Sequence, residues 1–162
     1  MKRNIFFFLG LISMFLFTAS VEQKTLNTQG TTVEKRILPP AGFSRDNCAA
    51  NSYTYYLRNL PLKAHGSKVH LYDNSIKASQ DGAFAVVDME IGNTDLQQSA
   101  DAVIRLRAEY LWKQKRYSEI HFKFSSGENI DYIKWAEGNR FKVLGSKVTW
   151  EKKANKDYSY IT

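Results

Sequence analysis

The stretch from Gly92 to Tyr117, GNTDLQQSADAVIRLRAEYLWKQKRY, constrains the fold more than any other part of the chain. Advancing about 100° per residue from Leu96 places Ala100, Val103, Ile104, Leu106, Tyr110 and Leu111 on one broad stripe, the pattern of a helix lying on a packed layer. Thr94 or Asp95 can cap its start, and Gln98, three residues after Asp95, completes a capping box. Asp101, Arg105 and Glu109 fall on the opposite side at a spacing of four, where they can pair along a solvated face. Arg107 sits inside the apolar stripe. A buried, unpaired guanidinium costs on the order of several kcal/mol, so it needs an acid. The preceding segment, AFAVVDMEIG, alternates as a strand: Ala85, Val87, Met89 and Ile91 share one face, and Phe84, Val86, Asp88 and Glu90 the other. Asp88 and Glu90 are the expected partners of Arg107, in an ion pair that fixes how the helix sits on a sheet. The alternative is that Arg107 lays its stem over apolar neighbours and carries its head to water.

Other periodicities fill in the architecture. In AANSYTYYLRNLPL, Asn51 or Ser52 caps a short helix bearing Tyr53, Tyr56, Leu57 and Leu60 at helical spacing, and Pro61 stops it. SKVHLYD alternates as a strand, and DNSIKASQDG is a turn-rich connection. SEIHFKFSSG aligns Ile120, Phe122 and Phe124 as a strand. ENIDYIKWAEG is a short helix ending at Gly138, and NRFKVLGSKVTWEKK supplies one or two strands about Gly145. The expected class is α/β in the mixed α+β sense: one mixed or antiparallel sheet packed by a long central helix and two shorter helices.

MKRNIFFFLGLISMFLFTAS has a basic start, an apolar run from Ile5 to Phe17 and small residues at Thr18, Ala19 and Ser20, the layout of a secretory signal peptide over 1–20. The run is shorter than the roughly 20 residues of a membrane span, so no stable span is expected after cleavage, and the product is exported to the periplasm or beyond. Residues 21–36 are polar and aperiodic, and read as a flexible leader. ILPPAGF then opens a single globular domain over 37–162. The closing DYSYIT is aromatic and lacks a stop signal, so the domain is expected to be truncated at its C-terminus.

Losing Lys2 and Arg3 with the signal takes two charges from a formal +7. The remaining excess gathers late, at Lys134, Arg140, Lys142, Lys147, Lys152, Lys153 and Lys156 against Glu137, Glu151 and Asp157. Outside the cytoplasm such a surface points to anionic envelope polymers or lipid headgroups rather than nucleic acid, or is simply a solvated face. With Trp135 and Trp150 beside Lys152 and Lys153, it is a candidate binding surface for envelope glycans. Cys48 is the only cysteine. An internal disulfide is therefore excluded, and with no conspicuous basic neighbour in sequence an inert thiol is expected.

Catalytic signals are sparse. Ser99 falls near the helix N-terminus, where anions are stabilised, or is a small hydroxyl serving the backbone. A nucleophile there needs a base, for which His65, His70 and His121 are the only histidines, and no G-x-S-x-G elbow is present. No metal motif and no cofactor motif appears, since His65 and His70 match no standard ligand spacing.

The blocks PPAGFSR, YYLRNLPLK, GSKVHLYD, AVVDMEIGNTDLQQSADAVIRLRAEYLW and IHFKFSSG, in this order, resemble exported proteins of Bacteroides-like bacteria grouped as domain of unknown function 4846. The resemblance runs from about Ile37 to the end. In that family the position of Ser99 is commonly a cysteine, and the sequence continues into a glycine-rich segment carrying a histidine. The resemblance implies a rearranged, incomplete papain-like (NlpC/P60-like) fold, with Ser99 at a nucleophile position, Gln98 able to polarise a carbonyl, and peptidoglycan peptides as the substrate class. With serine for cysteine and without the histidine, it implies a chain lacking catalytic activity of its own.

Overall fold

The computed structural model of the chain describes residues 25–124 and 126–159. The signal peptide expected over 1–20 lies outside them. The described chain opens with a loop that closes on itself. Leu26 and Ile37 form an antiparallel bridge, and helix α1 (Val33–Arg36) starts under Thr32, whose Oγ1 accepts from the Lys35 N–H. Arg36 is only 3% exposed. Its Nε donates to Gly30 O at 2.7 Å and its Nη2 to Lys63 O at 3.2 Å. A Cβ at residue 30 would stand 2.4 Å from the Lys35 carbonyl, so the loop closes only around glycine. A folded element anchored by a buried arginine thus replaces the flexible leader expected over 21–36, for the part that is described. Polarity alone does not keep a segment loose when its carbonyls can solvate a cation.

Helix α2 (Tyr53–Arg58) follows the expected signals. Ser52 Oγ accepts from the Tyr55 N–H at 3.1 Å, and the helix ends before Pro61. Pro61–Lys63 then runs between two other segments. Leu62 N–H donates to Thr31 O on one side, while Lys63 N–H donates to Val86 O and Asp88 N–H to Pro61 O on the other.

Two expected strands are corrected. The segment 83–92 pairs only through the isolated bridge Leu62↔Val87. Pro61 has no N–H to return the bond from Asp88, and Lys63 O is occupied by Arg36, so the ladder stops after one rung. The segment 68–72 bridges Ile76 through His70, within its own loop. Gln80 closes that loop by accepting from the Val69 N–H and donating to Val69 O and Lys77 O.

Helix α3 (Ser99–Lys113) is capped at Gln98, four residues after Thr94 and three after Asp95, the caps expected from sequence. The Leu96 N–H turns back to Thr94 O, and the Gln98 N–H donates to Asp101 at 3.0 Å. Its C-terminus is a Schellman arrangement: Arg116 N–H reaches Leu111 O and Lys115 N–H reaches Trp112 O, with Lys115 left-handed at φ 56°.

Beyond a 3-10 turn (Tyr117–Glu119), strands β1 (His121–Lys123) and β2 (Asn129–Asp131) pair antiparallel with Phe122 opposite Ile130. Helix α4 (Tyr132–Ala136) follows β2 directly. Strands β3 (Asn139–Leu144) and β4 (Lys147–Lys152) form a second antiparallel hairpin, Phe141 opposite Trp150. The class is mixed α+β, with its described strands in two small antiparallel sheets rather than one.

The core lies where the C-terminal half of α3 meets this unit. Tyr110, Leu111 and Ile120 are buried, with Tyr53, Tyr56, Trp112, Tyr117, Phe122 and Tyr132 packed about them. Leu111 is 2% exposed, whereas Val103 is 64% and Leu96 74% exposed. The expected stripe is therefore buried only at its C-terminal end, because no sheet forms from 83–92 to receive the rest.

Candidate functional site

The aromatic side chains that fill the gap between α3 and α4 also line a pocket of about 470 Å³. Trp112 Nε1 donates to the Tyr132 hydroxyl at 3.2 Å and to Tyr158 O at 3.3 Å. Tyr132 in turn stacks on Trp135, with ring centres 6.0 Å apart and planes 23° from parallel. Residues one helical turn apart on α4 thus present two rings to the same side. Burial pushes the Tyr132 phenol above its ordinary range, against the lowering effect of its bond from Trp112, so it stays neutral at physiological pH. Ile91, Leu96 and Ile120 complete the apolar lining.

The polar side of the pocket comes from α3. Arg105 Nε pairs with Glu109 Oε1 at 2.7 Å, Arg105 Nη1 donates to Gln97 Oε1 at 3.1 Å, and the Tyr56 hydroxyl donates to Glu109 Oε2 at 3.1 Å. The spacing of Asp101, Arg105 and Glu109 is as expected, but Glu109 is buried and all three line the pocket. Arg105 and Glu109 are turned into the pocket, whereas Asp101 stays exposed at its edge.

A second feature lies on α4, β3 and β4. Along the hairpin, Phe141, Val143, Val148, Trp150 and Lys152 share one face by register, and Arg140, Lys142, Lys147 and Glu151 the other. Each indole carries a cation. Arg140 Cζ stands 4.4 Å from the centre of the Trp135 ring, and Lys134 Nζ 5.4 Å from that of Trp150 while pairing with Asp131 at 3.1 Å. Lys152 Nζ donates to Glu137 O, and Lys153 pairs with Glu151 at 3.0 Å on an exposed edge. Trp135, Trp150, Lys152 and Lys153 thus belong to one contiguous unit, in which Trp135 faces the pocket as well.

The other sequence candidates are dispersed. Ser99 is the first residue of α3 and Gln98 its N-cap; both are exposed, and neither lines the pocket. His65 and His121 are exposed, and His70 Nδ1 lies 2.9 Å from Asn74 O. Arg107 does not pair with Asp88 or Glu90. Its Cζ lies 5.2 Å from the centre of the Tyr53 ring and 5.4 Å from that of Tyr110, while both acids are exposed. The expected pair fails because its strand was never built into a sheet beneath α3. Cys48, read as lacking a basic neighbour, has Arg58 Nη1 at 3.4 Å from its sulfur. Among the described residues, no three His, Cys, Asp or Glu side chains converge to hold a metal, and no helix is long and apolar enough to cross a membrane.

Trp112, Tyr132, Arg105 and Glu109 were not singled out from sequence as site residues. The only available signal was the aromatic run YLW at the end of α3 set against YIKW in α4, which reads equally as core.

The model of domain of unknown function (4846) matches residues 33–162. The chain belongs to that family. No curated protein matches the chain, and no solved structure does. The family match takes in every residue of the pocket and of the hairpin, together with the buried Arg36, and leaves residues 25–32 of the closing loop outside.

Proposed function

We propose that this member of the family is an exported, envelope-associated domain, resident in the periplasm or outside the cell, that holds anionic glycan without turning it over. The observation that carries this reading is the α4–β3–β4 unit, where Lys134 and Arg140 lie over Trp150 and Trp135 with Lys152 and Lys153 alongside. Cations held against indole faces give a surface that attracts acidic groups and offers flat apolar area to sugar rings. Export is supported by the layout of the first twenty residues. Hydrolysis of cell-wall peptides through Ser99 and Gln98 requires a base within hydrogen-bond reach. Among the described residues no histidine bonds to the Ser99 hydroxyl. Binding is therefore the better supported reading.

The test is retention on isolated envelope. The protein should bind sedimented envelope at low salt and elute as ionic strength rises, because exposed charges are screened within about 10 Å at 0.1 M salt. Lys152→Glu combined with Lys153→Glu should abolish retention. Unchanged retention of the double variant would discard the proposal.

A further inference from the structure

We propose that two copies of this chain associate by pairing the open edge of β3 in one with the segment 87–90 of the other. The second hairpin has two unlike edges. Along β4 the edge is closed, because the Val148 N–H donates to Glu128 Oε1 at 3.2 Å. That bond also gives the phase of the ladder. Val143 and Val148 are opposite each other with their backbone groups pointing away, so on β3 the outward groups are those of Phe141 and Val143. Among the described residues nothing pairs with them. Phe141, Lys142, Val143 and Leu144 are all exposed. A strand edge left open in this way is a template for another extended chain.

The same chain holds a segment that fits this edge. The run 83–92 alternates as a strand, yet it meets 61–63 in a single bridge. Val86 O and the Asp88 N–H are turned toward that bridge. In an extended chain the backbone groups of Val87 and Met89 therefore point the other way, and among the described residues they too are unpaired. Joining the two open edges antiparallel sets Val143 against Val87 and Phe141 against Met89 on one face. On the other face Lys142 meets Asp88 and Arg140 meets Glu90. Apolar groups oppose apolar groups and cations oppose acids, on both faces at once. A shift of two residues leaves Asp88 opposite Leu144, or Lys142 opposite Val86. A parallel pairing of the same edges sets Phe141 beside an acid, and β3 paired with itself about Lys142 sets two lysines face to face. Arg140 is already held over Trp135, so Lys142 and Asp88 are the deciding pair. Both are exposed. Asp88 makes no ion pair among the described residues. Glu151, the acid that feels the charge of Lys142, is taken by Lys153 at 3.0 Å.

The experiment is sedimentation velocity on the full chain across a concentration series, with circular dichroism to check that each variant keeps the parent's fold. The parent should associate as its concentration rises. Lys142→Glu and Asp88→Lys, each of which sets like charges opposite, should each weaken association about tenfold. Mixed in equal amounts, the two variants should regain the parent's association, because every contact between unlike chains again joins a cation to an acid. Three results overturn the proposal: a parent that stays monomeric throughout, Lys142→Glu associating as the parent does, or a mixture no more associated than either variant alone. An edge kept for a different protein gives the first result, and joining through the apolar stripe of α3 or the first twenty residues gives the second. Lys142 and Asp88 lie outside the residues assigned to glycan, so self-association and envelope retention are read separately and can fail independently.

Discussion

At the scale of single residues, the two arginines exchange the roles their surroundings in sequence suggest. Arg107, in the apolar stripe of α3, reaches neither acid. It lies over Tyr53 and Tyr110, whose π faces accept it without requiring full desolvation. Arg36, in a polar run, is the buried one, and carbonyls at Gly30 and Lys63 receive it. Helical periodicity located Arg107 correctly on its helix, but not the layer opposite. Nothing in the polar residues before Pro39 signals that their backbone would fold round Arg36. The ring contacts make a specific prediction. Arg107→Ala should cost about 1 kcal/mol in urea denaturation, whereas Asp88→Asn and Glu90→Gln should each stay within about 0.5 kcal/mol of the parent. A large loss from either acid variant would restore the ion pair expected from sequence.

At the scale of elements, α3 shows how far local signals reach. Its existence and its C-terminal packing were legible, because Tyr110 and Leu111 fall on the expected stripe and are buried. Its start was displaced, since several good caps stand in succession between Thr94 and Asp101 and only tertiary packing chooses among them. Strand assignments failed where alternation had no partner able to complete a ladder, as at Pro61, and succeeded for β1, β3 and β4. The end of α3 carries its own prediction. Lys115 holds a left-handed backbone that glycine adopts freely, and its side chain is exposed. Lys115→Gly should therefore raise the unfolding free energy by about 1 kcal/mol, measured by denaturant titration. A loss of stability would mean that the lysine side chain contributes more than its backbone strain costs.

At the scale of the whole molecule, chemistry gathers toward the C-terminal side. One end of α3, together with α4 and the second hairpin, supplies the rings, the pocket and most of the cations. The late basic residues and two of the tryptophans could be read from sequence, since charge and aromatic content need no fold to be counted. The pocket could not, because its walls come from segments as far apart as Ile91 and Ser159, and their meeting depends on packing. At the opposite end, the loop closed around Arg36 has a practical consequence. A trypsin-like protease must draw an arginine side chain into its own specificity pocket, and this one is already enclosed. Brief digestion of the native protein should leave the Arg36–Ile37 bond intact while exposed sites such as Lys153 are cut, as read by mass spectrometry. Early cleavage after Arg36 would show that the loop opens readily.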